Sequence, residues 1–547
     1  MNKQETLLSL NAIRFSPEAK KIILDDISLS IKDNQKIGLV GKNGAGKTTL
    51  LKIIAGNIKP TKGSLKSNCQ AFYLPQIDLN EQKSEKPIYN YLERKKDEWW
   101  EVIEFLETNF DLSLDYNQKI KNLSGGEFIK LNLALCFVSP AELLLLDEPS
   151  NHLDILGLKQ LERILIKLKK SYIIVSHNAF FLNKVTKRIW ELEAGRLKEY
   201  GFGYYDYKEE KEIQKKAKQR KYLYQTKRLK KLKKSQQRET ERAERSFGTD
   251  KKLRHSGPKG KHDRGVVRGN YFLNRAQKKA GKIKLRLEKR EEEIKDKIEL
   301  FRQPQAPAVF LNLKSEEKSS RKLLLKVEQG EIEIAKPRKK LISKIELEIY
   351  FGDRMVIAGK NGCGKTSLLN LLINKKLKNF KYEFKEHNSA RGLKFAYIDQ
   401  NYRSINPKKS ILDNILKNNK TVSIIEAKQV LARLLLNQGD NFNRKASDLS
   451  GGEVAKLIFA KEILKNPDLL ILDEPTNNLD LESIEVVTKA INEFKGAVLA
   501  VSHDIEFLNQ IKVNQAYLIK GRRLTKMKYS PLEKEEYYQE LTRKLSF

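Results

Sequence analysis

The chain has 547 residues, of which 107 are Lys or Arg and 70 are Asp or Glu, so its formal net charge at pH 7 is +37. This length fits two domains of about 200 residues each plus a connector, and no stretch reaches the roughly 18 to 20 apolar residues of a membrane helix. The first nine residues lack the apolar core of a secretory signal, and three scattered cysteines exclude a disulfide framework or a zinc site, so we expect a cytoplasmic protein without a membrane partner.

The first half opens with a phosphate-binding loop between a predicted strand and a predicted helix. Residues 37–40 form a short apolar run, residues 41–48 read GKNGAGKT, and residues 49–55 continue with helical apolar spacing. Glycines in such a loop let backbone N–H groups converge on phosphate oxygens. Lys47 is then expected to neutralise phosphate charge and Thr48 to bind Mg²⁺. A single loop of this type would also suit a GTPase or a kinase.

A buried strand that ends in two carboxylates follows later in the first half. Residues 143–149 read LLLLDEP, which is typical of a buried parallel strand. Asp147 is expected to hold Mg²⁺ through water, and Glu148 to polarise the attacking water as a general base. Gln76 is expected to reach the metal and the water from the other side. His177, in a VSH sequence after an apolar strand, is expected to contact the γ-phosphate.

A long basic connector separates the two halves. More than half of the excess positive charge lies within residues 211–300. Residues 205–245 contain no Gly or Pro and predict a helix about 60 Å long. Glycines and a proline break helical continuity over 246–270, and residues 271–301 predict a second helix with an apolar seam. An antiparallel helical hairpin fits these lengths best.

The tip of this predicted hairpin combines cations with aromatic rings. Dense basic segments usually bind polyanions, and aromatic or guanidinium planes stack on unpaired bases. We therefore predict contacts with RNA, and the alternative is a solvated charged segment without a partner. The candidate RNA contacts are Lys251, Lys252, Arg254, Lys259, Lys261, Arg264, Arg268, Tyr271 and Phe272.

The second half repeats the chemistry of the first. The phosphate loop recurs as GKNGCGKT at residues 359–366 and the buried strand as LLILDEP at 469–475, while the pentapeptide LSGGE occurs at both 123–127 and 449–453. A constant offset of 326 residues relates three pairs, namely Ser124 and Ser450, Glu148 and Glu474, and His177 and His503. One offset for several chemical groups indicates a duplicated domain. The remaining histidines, including His152, are expected to be structural.

An LSGGE pentapeptide beside a phosphate loop resembles the ABC ATPases. In that family two domains close head to tail, and ATP lies between the phosphate loop of one domain and the LSGGE of the other. The resemblance therefore implies that ATP and Mg²⁺ are the cofactors and that neither domain hydrolyses ATP alone. It further implies that Glu148, His177, Glu474 and His503 are the catalytic residues.

The resemblance assigns nucleotide-binding residues to two composite sites. Site one is expected to contain Gly41, Asn43, Gly44, Gly46, Lys47, Thr48, Thr49, Gln76 and Asp147 with Ser450, Gly451 and Gly452. Site two is expected to contain Gly359, Asn361, Gly362, Gly364, Lys365, Thr366, Ser367, Gln400 and Asp473 with Ser124, Gly125 and Gly126. The candidate Mg²⁺ ligands among them are Thr48, Gln76, Asp147, Thr366, Gln400 and Asp473. Because neither set lacks a member, we expect both sites to hydrolyse ATP.

One asymmetry between the sites is visible upstream of the phosphate loops, where the family places an aromatic residue on adenine. Phe15 can fill that role in the first half, whereas residues 331–340 contain no aromatic residue. Adenine at site two is then held by aliphatic contact with Ile334 or by a residue from elsewhere in the chain. We therefore expect weaker base discrimination at site two.

Two ABC domains joined by a long charged helical hairpin resemble the ABC-F family of ribosome-associated ATPases. The resemblance implies an α/β fold with tandem P-loop ATPase domains at 1–204 and 321–547 and a helical linker at 205–320, whose tip spans about 246–272. It also implies a monomer whose two domains form the sandwich. The implied partner is the 70S ribosome, at its exit site, with contacts to 23S rRNA and P-site tRNA.

Within that family the chain is similar to the antibiotic-resistance branch. The segment from Gln76 to Ser124 is too short for the inserted arm of the housekeeping translation factors, and too few residues follow His503 for a long C-terminal coiled coil. We therefore expect a ribosome protection protein that acts against drugs at the peptidyl transferase centre or exit tunnel. The alternatives are a housekeeping factor that relieves stalled ribosomes, a DNA-associated ABC ATPase and the energising subunit of an exporter.

Overall fold

The structure is a computed structural model that describes residues 5–17, 22–77, 81–253, 285–299, 322–335, 339–373, 380–383, 385–399, 404–417, 419, 422–434, 436, 442–477 and 479–546. The chain divides into two compact units, Met1–Tyr207 with Ala306–Phe547, and Lys208–Gln305. The first unit contains both halves of the sequence repeat, and the second contains most of the basic connector. No helix in these described ranges is long and apolar enough to cross a membrane.

The first repeat contains two sheets. Its strands are β1 (Thr6–Phe15), β2 (Leu24–Lys32), β3 (Lys36–Val40), β4 (Lys62–Ser67), β5 (Ala71–Leu74), β6 (Leu143–Asp147), β7 (Ser171–Val175), β8 (Arg188–Glu193) and β9 (Arg196–Tyr200). The smaller sheet is antiparallel, in the order β2-β1-β4, and the larger has the order β5-β6-β7-β3-β8-β9. All neighbours in the larger sheet are parallel except β8 and β9. Strands β6 and β7 are buried throughout, which explains why their sequences are mostly apolar.

The structure describes six α-helices in the first repeat. They are α1 (Lys47–Ile54), α2 (Ile88–Glu93), α3 (Trp100–Phe110), α4 (Gly125–Val138), α5 (Ile155–Lys167) and α6 (Ala179–Val185). The side chains of Ser124, Asp154 and Asn178 accept hydrogen bonds at the starts of α4, α5 and α6. These caps fix where α4, α5 and α6 begin.

The connector contains a longer first helix than the sequence predicts. Helix α7 (Tyr204–Leu253) has 50 residues and α8 covers residues 285–299. The predicted end of the first helix at Arg245 is wrong, because α7 continues through Gly248; one glycine costs a helix only about 1 kcal/mol. In this unit Nζ of Lys233 lies 3.6 Å from Oε1 of Glu291. The antiparallel hairpin itself stays a prediction.

The second repeat joins its strands into one sheet. They are β10 (Leu323–Ile334), β11 (Lys339–Tyr350), β12 (Arg354–Gly359), β13 (Phe380–Glu383), β14 (Glu386–Ser389), β15 (Phe395–Ile398), β16 (Leu469–Asp473), β17 (Ala497–Val501), β18 (Gln515–Lys520) and β19 (Arg523–Lys526). The order is β13-β10-β11-β19-β18-β12-β17-β16-β15, and β14 also pairs with β10. A single parallel pairing of Lys344 with Arg523 connects the two parts that form separate sheets in the first repeat.

Seven helices described in the second repeat complete the domain. They are α9 (Lys365–Leu372), α10 (Ile411–Leu416), α11 (Ile424–Arg433), α12 (Gly451–Ile463), α13 (Leu481–Glu493), α14 (Ile505–Gln510) and α15 (Lys534–Ser546). Buried apolar residues of both repeats, from Val40 to Leu545, belong to one continuous core cluster. The two repeats therefore pack directly against each other.

The last helix, α15, contacts the first repeat. The hydroxyl of Tyr538 donates a hydrogen bond to Oε2 of Glu162 at 2.8 Å, and the Tyr538 ring meets the Phe180 ring edge to face with centroids 5.3 Å apart. Nζ of Lys184 lies 3.0 Å from Oε2 of Glu535 and 4.4 Å from the centre of the Tyr538 ring. This contact surface, which we call the α15 clasp, holds the two repeats together away from the phosphate loops.

Candidate nucleotide sites

The two phosphate loops have matching local geometry. Helices α1 and α9 begin immediately after Gly46 and Gly364, each with φ 103°, in the left-handed region that favours glycine. Neither glycine position has a side-chain cap, so the N–H groups of the first turn can receive an anion. Nζ of Lys47 and of Lys365 donate to carbonyl oxygens at the start of their own loops, at 2.7 and 2.8 Å. Each lysine is thus held across the loop.

The candidate general bases lie where the buried strands β6 and β16 end. Glu148 and Glu474 have φ of 53° and 48°, a backbone conformation that non-glycine residues rarely adopt. Their N–H groups donate to the carbonyl oxygens of Val175 and Val501, at 3.0 and 2.8 Å, which fixes this turn. Burial raises the pKa of both carboxyl groups to about 8. Such clustered strain and pKa shifts are typical of a functional site.

Each of these glutamates lies beside the predicted histidine. Nε2 of His177 is 3.1 Å from Oε1 of Glu148, and Nε2 of His503 is 3.4 Å from Oε1 of Glu474. Burial lowers the pKa of His177 to about 4 and that of His503 to about 3. Both imidazole rings are therefore neutral near pH 7 and can either donate or accept a hydrogen bond.

The candidate Mg²⁺ ligands pair in both repeats. Oγ1 of Thr48 donates to Oδ2 of Asp147 at 2.7 Å, and Thr366 makes the corresponding hydrogen bond to Asp473. Burial raises the pKa of both aspartates, and the threonine hydrogen bond opposes that shift. Gln76 is exposed and lies two residues after the end of β5, and its role as a metal ligand stays a prediction. Gln400 lies outside the described residues.

Two tyrosines that the sequence interpretation missed donate hydrogen bonds to the same two aspartates. The hydroxyl of Tyr73 donates to Oδ2 of Asp147 at 3.3 Å, and that of Tyr397 donates to Oδ2 of Asp473 at 3.0 Å. Tyr73 and Tyr397 lie on the equivalent strands β5 and β15, each three residues before the glutamine expected to bind metal. That common spacing in the two halves is the signal that could have identified them.

The LSGGE pentapeptides form the starts of α4 and α12. Ser124 and Ser450 are the N-caps, and in each case the glutamate of the pentapeptide accepts a hydrogen bond from the serine N–H, which completes a capping box. A Cβ added to Gly126 would lie 3.9 Å from Nδ2 of Asn361, in the phosphate loop of the other repeat. The first turn of α4 thus approaches that loop closely.

Two aspartates that sequence analysis did not single out connect each phosphate loop to the opposite repeat. Oδ2 of Asp480 accepts a hydrogen bond from the N–H of Asn43 at 2.9 Å, and Oδ2 of Asp154 accepts one from the N–H of Asn361 at 3.2 Å. Oδ1 of each aspartate caps its own helix, α13 or α5. Asp154 and Asp480 differ by the same 326-residue offset as the recognised landmarks, which is the signal that could have identified them.

At site two the predicted residues line a shared cavity of about 520 Å³. Its walls include Asn361, Gly362, Gly364, Lys365, Thr366, Ser367, Asp473, Glu474 and His503 of the second repeat with Ser124, Gly125 and Gly126 of the first. Of the predicted site-two residues that the structure describes, Gly359 does not line the cavity. His152 was expected to be only structural, yet it also lines this space, and its carbonyl accepts a hydrogen bond from Nδ2 of Asn361 at 3.1 Å.

At site one, residues of the second repeat contact the phosphate loop of the first repeat, as residues of the first repeat contact the other loop at site two. In addition to the Asp480 contact, Nζ of Lys42 lies 2.8 Å from Oε2 of Glu482. Lys456 on α12 interacts electrostatically with both Asp480 and Lys42. Helix α12, which starts with Ser450, Gly451 and Gly452, is therefore next to the first phosphate loop.

The remaining predicted contacts lie at the edges of the described structure. Phe15 is the last residue of β1 and is partly buried. Lys251 and Lys252 belong to the last turn of α7. The other candidate RNA contacts, Arg254, Lys259, Lys261, Arg264, Arg268, Tyr271 and Phe272, lie outside the described residues.

Comparison with known proteins agrees with this geometry. The family model described as "ABC transporter" matches residues 24–151 and 342–477. The chain is similar to the ATP-binding protein Uup of Buchnera aphidicola, with 30% identity across 89% of this chain and 76% of that protein. It is also similar to ABC transporter F family member 2 of Arabidopsis thaliana, with 29% identity across 89% of this chain and 73% of that protein.

A solved structure shares the fold. It is the archaeal ribosome recycling factor aABCE1, in a complex with the archaeal ribosomal stalk protein aP1, with a TM-score of 0.60 and 19% identity over 94% of this chain and 89% of that one. The predicted α/β class with two tandem ABC domains is confirmed. The duplicated sites and these comparisons show that the chain is an ATPase and belongs to the ABC-F family.

Proposed function

We propose that this chain is a cytoplasmic, monomeric ribosome-binding ATPase that occupies the exit site of the 70S ribosome in its ATP-bound closed form. In this proposal it protects ribosomes from antibiotics bound at the peptidyl transferase centre or exit tunnel, and hydrolysis releases it. The observation that carries the proposal is that both phosphate loops are hydrogen-bonded to the opposite repeat, with a basic 50-residue helix in the connector between the repeats.

The two sites fit ATP and Mg²⁺. Oε2 of Glu148 and Oε1 of Glu474 are buried without hydrogen-bond partners, so each site has an unused acceptor for an attacking water. Thr48 with Asp147, and Thr366 with Asp473, offer the oxygen ligands that Mg²⁺ prefers. Bound Mg²⁺ would neutralise phosphate charge. The structure therefore supports two hydrolytic sites rather than one active and one inactive site.

The residue roles follow from this geometry. Lys47 and Lys365 bind phosphate, and the helix starts at Ser124 and Ser450 direct N–H groups towards it from the opposite repeat. Glu148 and Glu474 accept a proton from water as it attacks. The neutral rings of His177 and His503 lie 3.1 and 3.4 Å from that glutamate, where they can orient the γ-phosphate by hydrogen bonding. Because each site needs residues from both repeats, binding of ATP favours the closed arrangement.

The connector supplies the proposed contact with RNA. Helix α7 has 50 residues and is therefore about 75 Å long at 1.5 Å per residue. Its sequence is rich in Lys and Arg, the residues that contact phosphates of rRNA and tRNA. The solved aABCE1 structure of the same fold is named a ribosome recycling factor, which supports a ribosomal partner here.

Binding to 70S ribosomes can be tested by sedimentation at increasing salt. If 6 to 10 phosphates are neutralised, affinity should fall roughly 10³- to 10⁵-fold between 50 and 200 mM salt. Absence of the chain from the ribosome fraction at low salt, with ATP present, would argue for the DNA-associated alternative. An unchanged affinity across this salt range would count against the connector as the contact surface.

A housekeeping role on stalled ribosomes is the second candidate. The similarity to Uup over 89% of the chain favours it. Expression of the chain in a susceptible bacterium separates the two roles. Resistance to drugs of the peptidyl transferase centre or exit tunnel supports protection, whereas unchanged susceptibility with relief of a stalling sequence supports the housekeeping role. A variant with both Glu148→Gln and Glu474→Gln is the matched inactive control.

A further inference from the structure

We infer that Phe380 provides the aromatic surface on which adenine lies at site two. The first strand of the second repeat, β10, ends at Ile334 and has no aromatic residue near this end, unlike β1, which ends at Phe15. Phe380 comes from a different strand, β13, and from a position well after the phosphate loop. The inference rests on the proposed assignment of Lys365 to the phosphate-binding loop of site two.

Strand pairing places Phe380 beside the expected position of the base. Phe380 is directly opposite Ile334 in the antiparallel pairing of β13 with β10. Both side chains line the site-two cavity, together with Leu341 from β11 and with Lys365 and Thr366 of the phosphate loop. One cavity therefore joins an apolar end, formed by Phe380, Ile334 and Leu341, to a phosphate-binding end.

The shape and exposure of this apolar end fit a flat ligand. The cavity volume of about 520 Å³ is within the usual range of small-molecule sites. Phe380 is partly buried, since it packs against the core cluster beneath β10 and β11 while still lining the cavity. A ring fixed in this way loses little conformational freedom when a base stacks on it.

Among the described residues of the first repeat, the strand paired with the end of β1 offers no counterpart of Phe380. There, β1 pairs with β4, and Arg14 is opposite Lys62 near the end of β1. The aromatic residue thus comes from β1 at site one, as Phe15, and from β13, the strand paired with β10, at site two, as Phe380. Stacking contributes affinity for any base and more for a purine, so Phe380 makes site two more selective than its upstream sequence suggests.

Site-two affinity can be measured in the full-length chain without ribosomes. Lys47→Ala removes phosphate binding at site one and serves as the parent protein. The affinities for ATP and for CTP are then compared between this parent and the same protein that also carries Phe380→Leu. Stacking on an aromatic residue contributes about 1–3 kcal/mol, so Phe380→Leu should weaken ATP binding about 5- to 150-fold. The ratio of ATP affinity to CTP affinity should decrease. Phe380→Tyr should restore both the ATP affinity and this ratio.

Phe395→Leu is the matched control, because Phe395 is an exposed aromatic residue of the same repeat that does not line the cavity. It should bind ATP as its parent does. Equal ATP affinity of Phe380→Leu and Phe395→Leu, with both folded, would overturn the inference. Adding Lys365→Ala should abolish the remaining ATP binding. If it does not, the assignment of site two itself fails, which is distinct from failure of the Phe380 inference.

Discussion

Oδ2 of Asp480 accepts a hydrogen bond from the backbone N–H of Asn43 at 2.9 Å, although 437 residues separate them in the chain. Asn43 belongs to the phosphate loop of the first repeat, whereas Asp480 begins helix α13 in the second. Asp154 and Asn361 make the reciprocal contact at the other site. Each phosphate loop is thus connected by one carboxylate to the start of a helix in the opposite repeat.

Replacing Asp480 with Asn should uncouple the repeats while leaving the helix cap intact. Asn is as good an N-cap as Asp, so the change in the cap of α13 should itself alter stability by less than about 0.5 kcal/mol. The charge-assisted hydrogen bond to Asn43 contributes about 1.5–3 kcal/mol, and its weakening should lower kcat for ATP at least about tenfold. Steady-state ATPase assays and thermal unfolding measure these two effects separately.

The control for this change is Asp33→Asn. Asp33 is an exposed aspartate whose carboxylate accepts a hydrogen bond from the adjacent N–H of Asn34, within one repeat. It should leave the ATPase rate unchanged. Equal rates for Asp480→Asn and Asp33→Asn would show that the contact across the repeats does not contribute to hydrolysis.

Tyr73 and Tyr397 should act as positioning residues for Asp147 and Asp473, the carboxylates proposed to bind Mg²⁺. Tyr73→Phe removes the hydroxyl that donates to Asp147, and Tyr397→Phe removes the one that donates to Asp473. Loss of such a supporting hydrogen bond typically weakens metal binding about 10- to 100-fold. The Mg²⁺ concentration for half-maximal ATPase activity should rise accordingly, while kcat recovers at saturating Mg²⁺.

Tyr116→Phe provides the comparison, because Tyr116 is exposed and packs against Trp99 far from β6 in the chain. Its Mg²⁺ dependence should equal that of the unmodified protein. A fall in kcat that saturating Mg²⁺ does not restore would contradict a positioning role for the two tyrosines.

Local sequence patterns were sufficient to predict where these groups lie within each repeat. The phosphate loops, the buried strands ending in Glu148 and Glu474, and the adjacent histidines could all be predicted because each group has a fixed spacing from a strand or helix end. The contacts of Asp154 and Asp480 could not, since they depend on how two distant segments meet. Phe380 likewise reaches the cavity only through the pairing of β13 with β10.

The connector shows a different limit of sequence reasoning. Glycine is unfavourable within a helix, so Gly248 was interpreted as part of a break. A penalty of about 1 kcal/mol does not interrupt an otherwise favourable helix, and α7 continues to Leu253. Composition therefore predicted that a helix exists but not the residue at which it ends.

Burial of Glu148 and Glu474, the candidate general bases, predicts that the effect of replacing them on protein stability depends on pH. Both pKa values are raised from 4.5 to about 8 in the folded protein, so the folded state binds more protons than the unfolded state between these values. The contribution of these two protonated carboxyl groups to the free energy of unfolding is complete below about pH 4.5 and is lost as pH rises through 8. The double variant Glu148→Gln, Glu474→Gln should therefore be more stable than the unmodified protein at pH 9, by at least about 3 kcal/mol.

This difference should be measured by unfolding without nucleotide or Mg²⁺ at pH 4 and pH 9. The two proteins should approach equal stability at pH 4. Glu104→Gln, at an exposed position on α3, should show no pH-dependent difference. A gain in the double variant that is the same at both pH values would contradict the predicted ionisation.

The α15 clasp should contribute measurably to the attachment of the two repeats. Tyr538→Phe removes the hydrogen bond to Glu162, whose carboxyl pKa is raised by burial and lowered by Lys184 and Tyr538. Removing one partner of a buried polar group should cost about 1–3 kcal/mol, seen as a lower midpoint of denaturant unfolding. Tyr224→Phe, on an exposed part of α7, should leave the midpoint unchanged.

Retention of a hydrolysis-deficient chain on ribosomes tests the central proposal most directly. Glu148→Gln and Glu474→Gln together remove the proposed general bases but keep both phosphate loops, so ATP should still close the repeats. In sedimentation with 70S ribosomes, the double variant should stay bound in ATP and dissociate in ADP, whereas the unmodified chain should be released as ATP is hydrolysed. Normal release of the double variant in the presence of ATP would contradict the proposal.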